Sequence, residues 1–257
     1  MCELFGLTGP DEIIANEYLE TFAAHSVDNP NGWGLAVFRG KEVNIEKEPL
    51  SACRSSYLKE RLRIPFRAAN MMAHIRFATR GQMTYENCHP FIKRDQSGRS
   101  WTFMHNGTIF NCPLLSEYLY IQNGQTDSER ILLYIVDQIN EETERQGHIL
   151  KDNERFDVID RVVLEITPHN KVNFMLYDGS LFYVHDNLKG SLFMQRLERS
   201  LLFATRPLNN KIWEPVEPCR LQAYKNGRHI LTGTAHKNEY IENPENMRLI
   251  FLDYALL

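Results

Sequence analysis

The stretch from Lys171 to Asp186 reads KVNFMLYDGSLFYVHD, two runs of aliphatic and aromatic residues on either side of Asp178-Gly179. An Asp-Gly pair suits a tight turn whose twist matches two antiparallel strands, so the stretch predicts a β-hairpin. LQAYKNGRHIL predicts another, with Asn226-Gly227 at its turn. LAVFRG and EVNIEKE predict a third around Gly40-Lys41. Strands thus come in hairpins, and the predicted helices come in groups between them. Without βαβ alternation, the arrangement that buries both kinds of element is α+β: antiparallel sheets with helices layered outside.

The remaining elements follow from periodicity. TDSERILLYIVDQINEETERQG carries apolar residues at Ile131, Leu132, Ile135, Val136 and Ile139 and a cap signal at Thr126 or Asp127, which predicts a long helix. RFDVIDRVVLEIT, DEIIANEYLETFAAHS and SSYLKERLRI predict further helices. CELFGLTG predicts a short strand ending in a Gly turn, and AANMMAHIRFAT, SWTFMH and SLLFAT predict other strands. There is no Pro/Gly/Ser linker, low-complexity tract or repeat. One domain over residues 1–257 is expected.

Composition removes several classes of function. The net charge of -4 is spread over mixed-sign segments, with no basic stripe for nucleic acid and no polybasic block for a membrane surface. No segment approaches the roughly 20 apolar residues of a membrane span. Glu3 and the turn-forming TGPDE stand where a signal peptide needs a basic start and an apolar run, so a cytoplasmic protein is expected. Cys2, Cys53, Cys88, Cys112 and Cys219 are odd in number and scattered, with no C-x-x-C pair. Neither a disulfide framework nor a structural zinc site is expected, and no cofactor is called for. Cys88 adjoins His89, but no further metal ligands can be placed beside them.

Cys2 follows the initiator methionine. If Met1 is removed, one residue carries both a thiol and a free α-amine. A thiol needs a base to act as a nucleophile near neutral pH, and an α-amine with a pKa of roughly 8 can serve. The bland alternative is a small hydrophobe opening a strand.

Three other stretches hold groups suited to splitting an amide. In HIRFATRG, Arg76 could grip an α-carboxylate through two parallel hydrogen bonds, or form a structural salt bridge. In MHNGTI, Asn106 and Gly107 could donate to an oxyanion, or form an ordinary Asn-Gly turn. In TDSER, Asp127 could accept from an ammonium group, or cap the helix.

The ordered set MCELFG, NGWGLAVF, AHIRFATRG, ENCHPF, HNGTI and TDSE resembles the class II glutamine amidotransferase domain of the N-terminal-nucleophile hydrolases. FATRPLNNKIWEPVEP resembles the compact, free-standing branch of that family, and the likeness covers essentially the whole chain. The resemblance implies a four-layer αββα sandwich. It implies Cys2 as nucleophile after loss of Met1, Asn106 and Gly107 as the oxyanion pair, and Arg76 on the glutamine α-carboxylate. Thr79 would lie in the same substrate loop, and Asp127 with the Gly107 backbone would receive the α-amine. Arg80 departs from the family, whose glucosamine-phosphate-forming members carry histidine there. With an α-amine as base, His74, His89 and His105 read as loop-orienting residues. Trp33, between two glycines, reads equally as core or pocket wall.

The implied reaction is acyl transfer from glutamine or a γ-glutamyl compound to Cys2, followed by hydrolysis of the thioester. Three roles fit: an amidotransferase subunit whose synthase is a separate protein, a free-standing γ-glutamyl hydrolase, or a binding module that kept the fold without the chemistry.

Overall fold

The computed structural model describes residues 1–40, 42–79 and 81–243. In chain order the strands are β1 (Glu3–Ile14), β2 (Trp33–Arg39), β3 (Glu42–Glu48), β4 (Arg67–Ile75), β5 (Phe91–Arg94), β6 (Ser100–His105), β7 (Phe174–Tyr177), β8 (Phe182–His185), β9 (Phe193–Arg196), β10 (Leu201–Ala204), β11 (Glu214–Pro215), β12 (Gln222–Lys225) and β13 (Arg228–Thr232). The α-helices are α1 (Asn16–Ala24), α2 (Ser56–Arg61), α3 (Asp127–Gln146) and α4 (Asp152–Ile166).

Among the described residues, the strands form two antiparallel sheets, in the orders β11-β9-β10-β1-β4-β2-β3 and β13-β12-β8-β7-β6-β5. The period-two alternation of strand side chains builds the layers. In β7, Met175 and Tyr177 join Leu4, Met72, Phe182 and Phe203 between the sheets. Their neighbours Phe174 and Leu176 point the other way, into a core with Ile131, Ile135 and Ile139 of α3 and Phe156 and Val162 of α4. On the far side, Phe5 and Leu7 of β1 pack with Leu19 and Phe22 of α1 and Leu58 of α2. The result is the expected αββα sandwich. At Gly6 of β1 the facing sheet leaves room only for glycine: a Cβ there would lie 2.7 Å from both Met175 Sδ and Phe182 Cζ.

Local chemistry explains the element ends. Thr126, not Asp127, caps α3, its hydroxyl accepting the Glu129 N–H at 3.2 Å. Gly147 in the left-handed region, at φ 69°, closes the helix. At the 178–179 turn, the Asp178 carboxylate accepts the Ser180 and Leu181 N–H groups and the buried Arg155 Nε–H at 2.7 Å, tying the hairpin to α4. One element differs from expectation. The helix predicted over DEIIANEYLETFAAHS starts only at Asn16, because β1 continues past Gly9 and pairs Ile13 with Ala68 and Ile14 with Arg67. Two β-branched isoleucines opposite β4 extend the sheet rather than open a helix. No helix among the described residues is long and apolar enough to cross a membrane.

Candidate active site

β1 and β4 are adjacent, with Glu3 opposite Ile75, so the chain just before β1 meets the chain just after β4. Cys2 Sγ lies 3.3 Å from both the carbonyl oxygen and the amide nitrogen of Phe77. The Phe77 N–H can therefore donate to the sulfur. Burial pushes the Cys2 thiol pKa up, while the Phe77 hydrogen bond and the charges of Arg76, the amino terminus and Lys171 push it down.

The amino terminus is held from a distance. Glu3 is 3% exposed, and its carboxylate takes the His25 ring at 2.8 Å, the Asn29 side-chain amide at 3.2 Å, and the Arg206 guanidinium. Thr205 Oγ1 accepts the Leu4 N–H at 2.8 Å. The FATRPL segment is thus the clamp on the strand that presents Cys2.

The opposite wall comes from the other sheet. β6 ends at His105, and the chain then runs beside residues 171–173. The Asn106 N–H donates to the Asn173 carbonyl at 2.8 Å, and the Thr108 N–H donates to the Lys171 carbonyl at 2.9 Å. Gly107 sits between these ties, and a Cβ there would meet the Lys171 carbonyl oxygen at 2.0 Å and His105 Nε2 at 2.2 Å. Close packing, rather than an unusual φ, requires glycine. Asn106 is 3% exposed and lines a cavity of about 840 Å³ together with Cys2.

Asp127 holds this loop from outside. Its Oδ2 accepts the Ile109 N–H at 2.7 Å and its Oδ1 the Ser128 N–H at 3.0 Å. Arg76 is 2% exposed and donates to the loop that follows it, Nη1 to the Gln82 carbonyl and Nη2 to that of Gly81, each at 3.0 Å. Thr79 is half-buried at the start of that loop. Arg80 lies outside the described residues. Neither Arg76, Thr79 nor Asp127 lines the 840 Å³ cavity, which lies instead among Lys171, residues 188–191, Arg206 and residues 239–242.

The histidines form a buried stack. The rings of His74 and His89 are 4.0 Å apart, and His74 Nε2 lies 3.2 Å from the His105 carbonyl oxygen. His105 bridges Ser128 Oγ at 3.0 Å and the Lys171 carbonyl at 3.2 Å. Burial lowers the pKa of all three, that of His74 to about 3, so all are neutral at pH 7. Of the two places open to Trp33, the structure gives the core: it is 3% exposed, packs in the α1–α2 layer and donates to Glu48 at 3.0 Å. Sequence reasoning missed Phe77 and Lys171, which carry no local signature. It also missed Thr205 and Arg206 as clamps, although the segment holding them stands out in the sequence.

The two antiparallel sheets with flanking helices are the N-terminal-nucleophile hydrolase fold. Over 93% of its length the chain superposes on glutamine phosphoribosylpyrophosphate amidotransferase from Bacillus subtilis, with a TM-score of 0.67 and 18% identity, covering 50% of that chain. It also superposes on a "predicted glutamine amidotransferase" from Pseudomonas aeruginosa, with a TM-score of 0.62 and 18% identity, over 90% of this chain and 100% of that one. Residues 1–198 match the model of the class II glutamine amidotransferases, and the chain belongs to that family.

Among curated relatives, it is 28% identical over 90% of its length to an uncharacterized protein of Methanocaldococcus jannaschii, of which the match covers 71%. It is 30% identical over 72% of its length to the "Putative glutamine amidotransferase" of Haemophilus influenzae, of which the match covers 63%. It is 26% identical over 90% of its length to the Escherichia coli protein "Putative glutamine amidotransferase YafJ", covering 100% of it.

Proposed function

We propose that the chain is a single amidohydrolase domain in which Cys2, freed of Met1, attacks the γ-carboxamide of glutamine. One observation carries this reading. Cys2 and Asn106 open on a common cavity, and the Asn106 side-chain amide and Gly107 N–H donate to no described residue. Two donors held ready beside a nucleophile suit an oxyanion that exists only in the transition state.

The α-amine takes the thiol proton and passes it to the leaving nitrogen. Water then cleaves the γ-glutamyl thioester. Asp127 receives the substrate ammonium. Arg76 takes the α-carboxylate, which replaces the loop carbonyls of Gly81 and Gln82 as its partners. Neutral His74, His89 and His105 orient the walls and are not the base.

The cavity admits two versions of this reading. Its volume of about 840 Å³ is far larger than ammonia needs, and it lies away from the residues assigned to the glutamyl end. It suits a γ-glutamyl compound with a bulky amine as leaving group, or the docking of a synthase that takes the ammonia. Steady-state kinetics on the isolated chain separate the two. A kcat/KM for a γ-glutamyl peptide far above that for glutamine selects the hydrolase. Slow glutamine turnover that rises with a partner selects the subunit. The common step is tested by processing: chains with and without Met1 are compared by intact mass and activity, and full activity with Met1 retained would remove the α-amine from the mechanism.

A further inference from the structure

Lys171 lies just before β7, yet the residue is 4% exposed and lines the cavity shared by Cys2 and Asn106. Its backbone is fixed. Its N–H and carbonyl pair with Thr108, and the carbonyl also meets His105 Nε2. Its Nζ donates to Met1 Sδ at 2.8 Å, on the residue whose removal would free Cys2. No described carboxylate lies within ion-pair distance of Nζ.

We propose that Lys171 is the positioning residue of the mature amino terminus: once Met1 leaves, its ammonium is the fixed charge that keeps the Cys2 α-amine unprotonated and draws the Cys2 thiol toward thiolate. This inference rests on the assignment of Cys2 as nucleophile.

The physical argument is Coulombic. Burial denies the thiolate its hydration, and a cation held in the same low-dielectric wall compensates. The same cation repels a proton on the neighbouring α-amine, which makes that amine a free base at neutral pH. Burial is the largest influence on both, raising the Cys2 thiol pKa and lowering that of Lys171, and the charge interaction between them works against it on both sides. The other groups acting on this pair are Arg76 beyond β4, which acts with Lys171 on the sulfur, and Asp186 beyond β8 and Glu242, which act on the lysine. Glu3 is satisfied by His25, Asn29 and Arg206. Lys171 moves no proton itself: the thiol proton goes to the α-amine, and the lysine sets how readily both groups reach the required states.

The test is the acidic limb of the pH profile of kcat/KM for Met1-free protein with glutamine. The wild-type limb should fall below the roughly 8 of a free α-amine. In Lys171→Met it should move up by about one unit, with the rate of Cys2 alkylation at pH 7 falling about tenfold. Lys171→Arg should restore most of both, because it restores the charge. Lys171→Gln, shorter but neutral and polar at its tip, replaces Lys171→Met if that variant does not fold. A limb that stays put in the neutral variants, or a wild-type limb at or above roughly 8, overturns the proposal. Failure of Cys2 as nucleophile shows separately, as loss of labelling by an electrophilic glutamine analogue. If Cys2 labels and the limb ignores residue 171, only the role of Lys171 falls.

Discussion

The Asp127 carboxylate accepts the Ile109 N–H at 2.7 Å, joining the first turn of α3 to the loop that carries Asn106 and Gly107. Each carboxylate oxygen has a further lone pair for a substrate ammonium. Asp127→Asn keeps an acceptor for Ile109 but removes the charge. Its KM for glutamine should rise about tenfold or more, with a smaller change in kcat, in line with a charged hydrogen bond worth roughly 1.5–3 kcal/mol. Asp127→Ala also frees the loop and should lower kcat. A kcat effect alone in Asp127→Asn would contradict the ammonium role.

Asn106 and Gly107 should respond differently although they adjoin. Asn106→Ala removes a side-chain donor that no described residue uses, so its Tm should hold while kcat falls roughly 10²–10³-fold. Gly107→Ala drives a methyl into the Lys171 carbonyl, 2.0 Å from the Cβ position, and should lower both Tm and kcat. Thermal melts run beside the kinetics check this. A KM-only effect in Asn106→Ala would remove it from the oxyanion site.

The cysteines should sort by reagent. Cys53 is exposed, and its hydrogen bonds with Ser26 and Ser51, at 3.1 and 3.2 Å, lower its thiol pKa. Burial raises that of Cys88 to about 11 and pushes Cys112 and Cys219 up as well. A small non-specific alkylating agent should therefore modify Cys53 readily and Cys88 hardly at all. A glutamine analogue with an electrophilic γ-carbon should instead label Cys2, because binding rather than acidity selects it. Peptide mapping after each reagent distinguishes the two patterns, and analogue labelling at Cys88 or Cys112 would contradict the assignment.

Acid should destabilise the fold through its buried histidines. The His74 and His185 pKa values are lowered from 6.5 to about 3 by burial, and that of His89 is lowered well below 6.5. Below pH 6.5 the unfolded chain binds protons that the folded chain refuses, so stability is lost as pH falls from there toward 3. Asp186 works in the opposite sense: burial raises its pKa from 3.8 to about 6, so protonation in that window favours the folded state. The histidines outnumber it, and Tm should drop between pH 7 and pH 5. Among the described residues neither ring nitrogen of His89 has a hydrogen-bond partner, so His89→Leu breaks no bond among them and should flatten the slope. A Tm that is constant across this range would show that these rings gain protons without opening the fold.

The sequence by itself determined the layers. Hairpin turns at Asp178-Gly179 and Asn226-Gly227, period-two strands and the apolar stripe of α3 are local signals, and local signals survive folding because neighbouring residues set them. It also offered candidates for the site, since Cys2, Arg76, Asn106, Gly107 and Asp127 stand in recognisable short motifs. It misplaced the start of α1, where Ile13 and Ile14 pair with a strand more than fifty positions away.

Only the tertiary structure decided what surrounds each of these groups. Trp33 became core because α1 and α2 close over its face of the sheet. Arg76 turned to the carbonyls of its own loop, a choice that depends on the path the loop takes. Cys2 meets Phe77 across 75 positions, Glu3 meets Arg206 across 203, and Met1 meets Lys171 across 170. No spacing rule reaches that far. Lys171 carries no local signal of its place, and only the stacking of the two sheets buries it on the cavity that Cys2 lines.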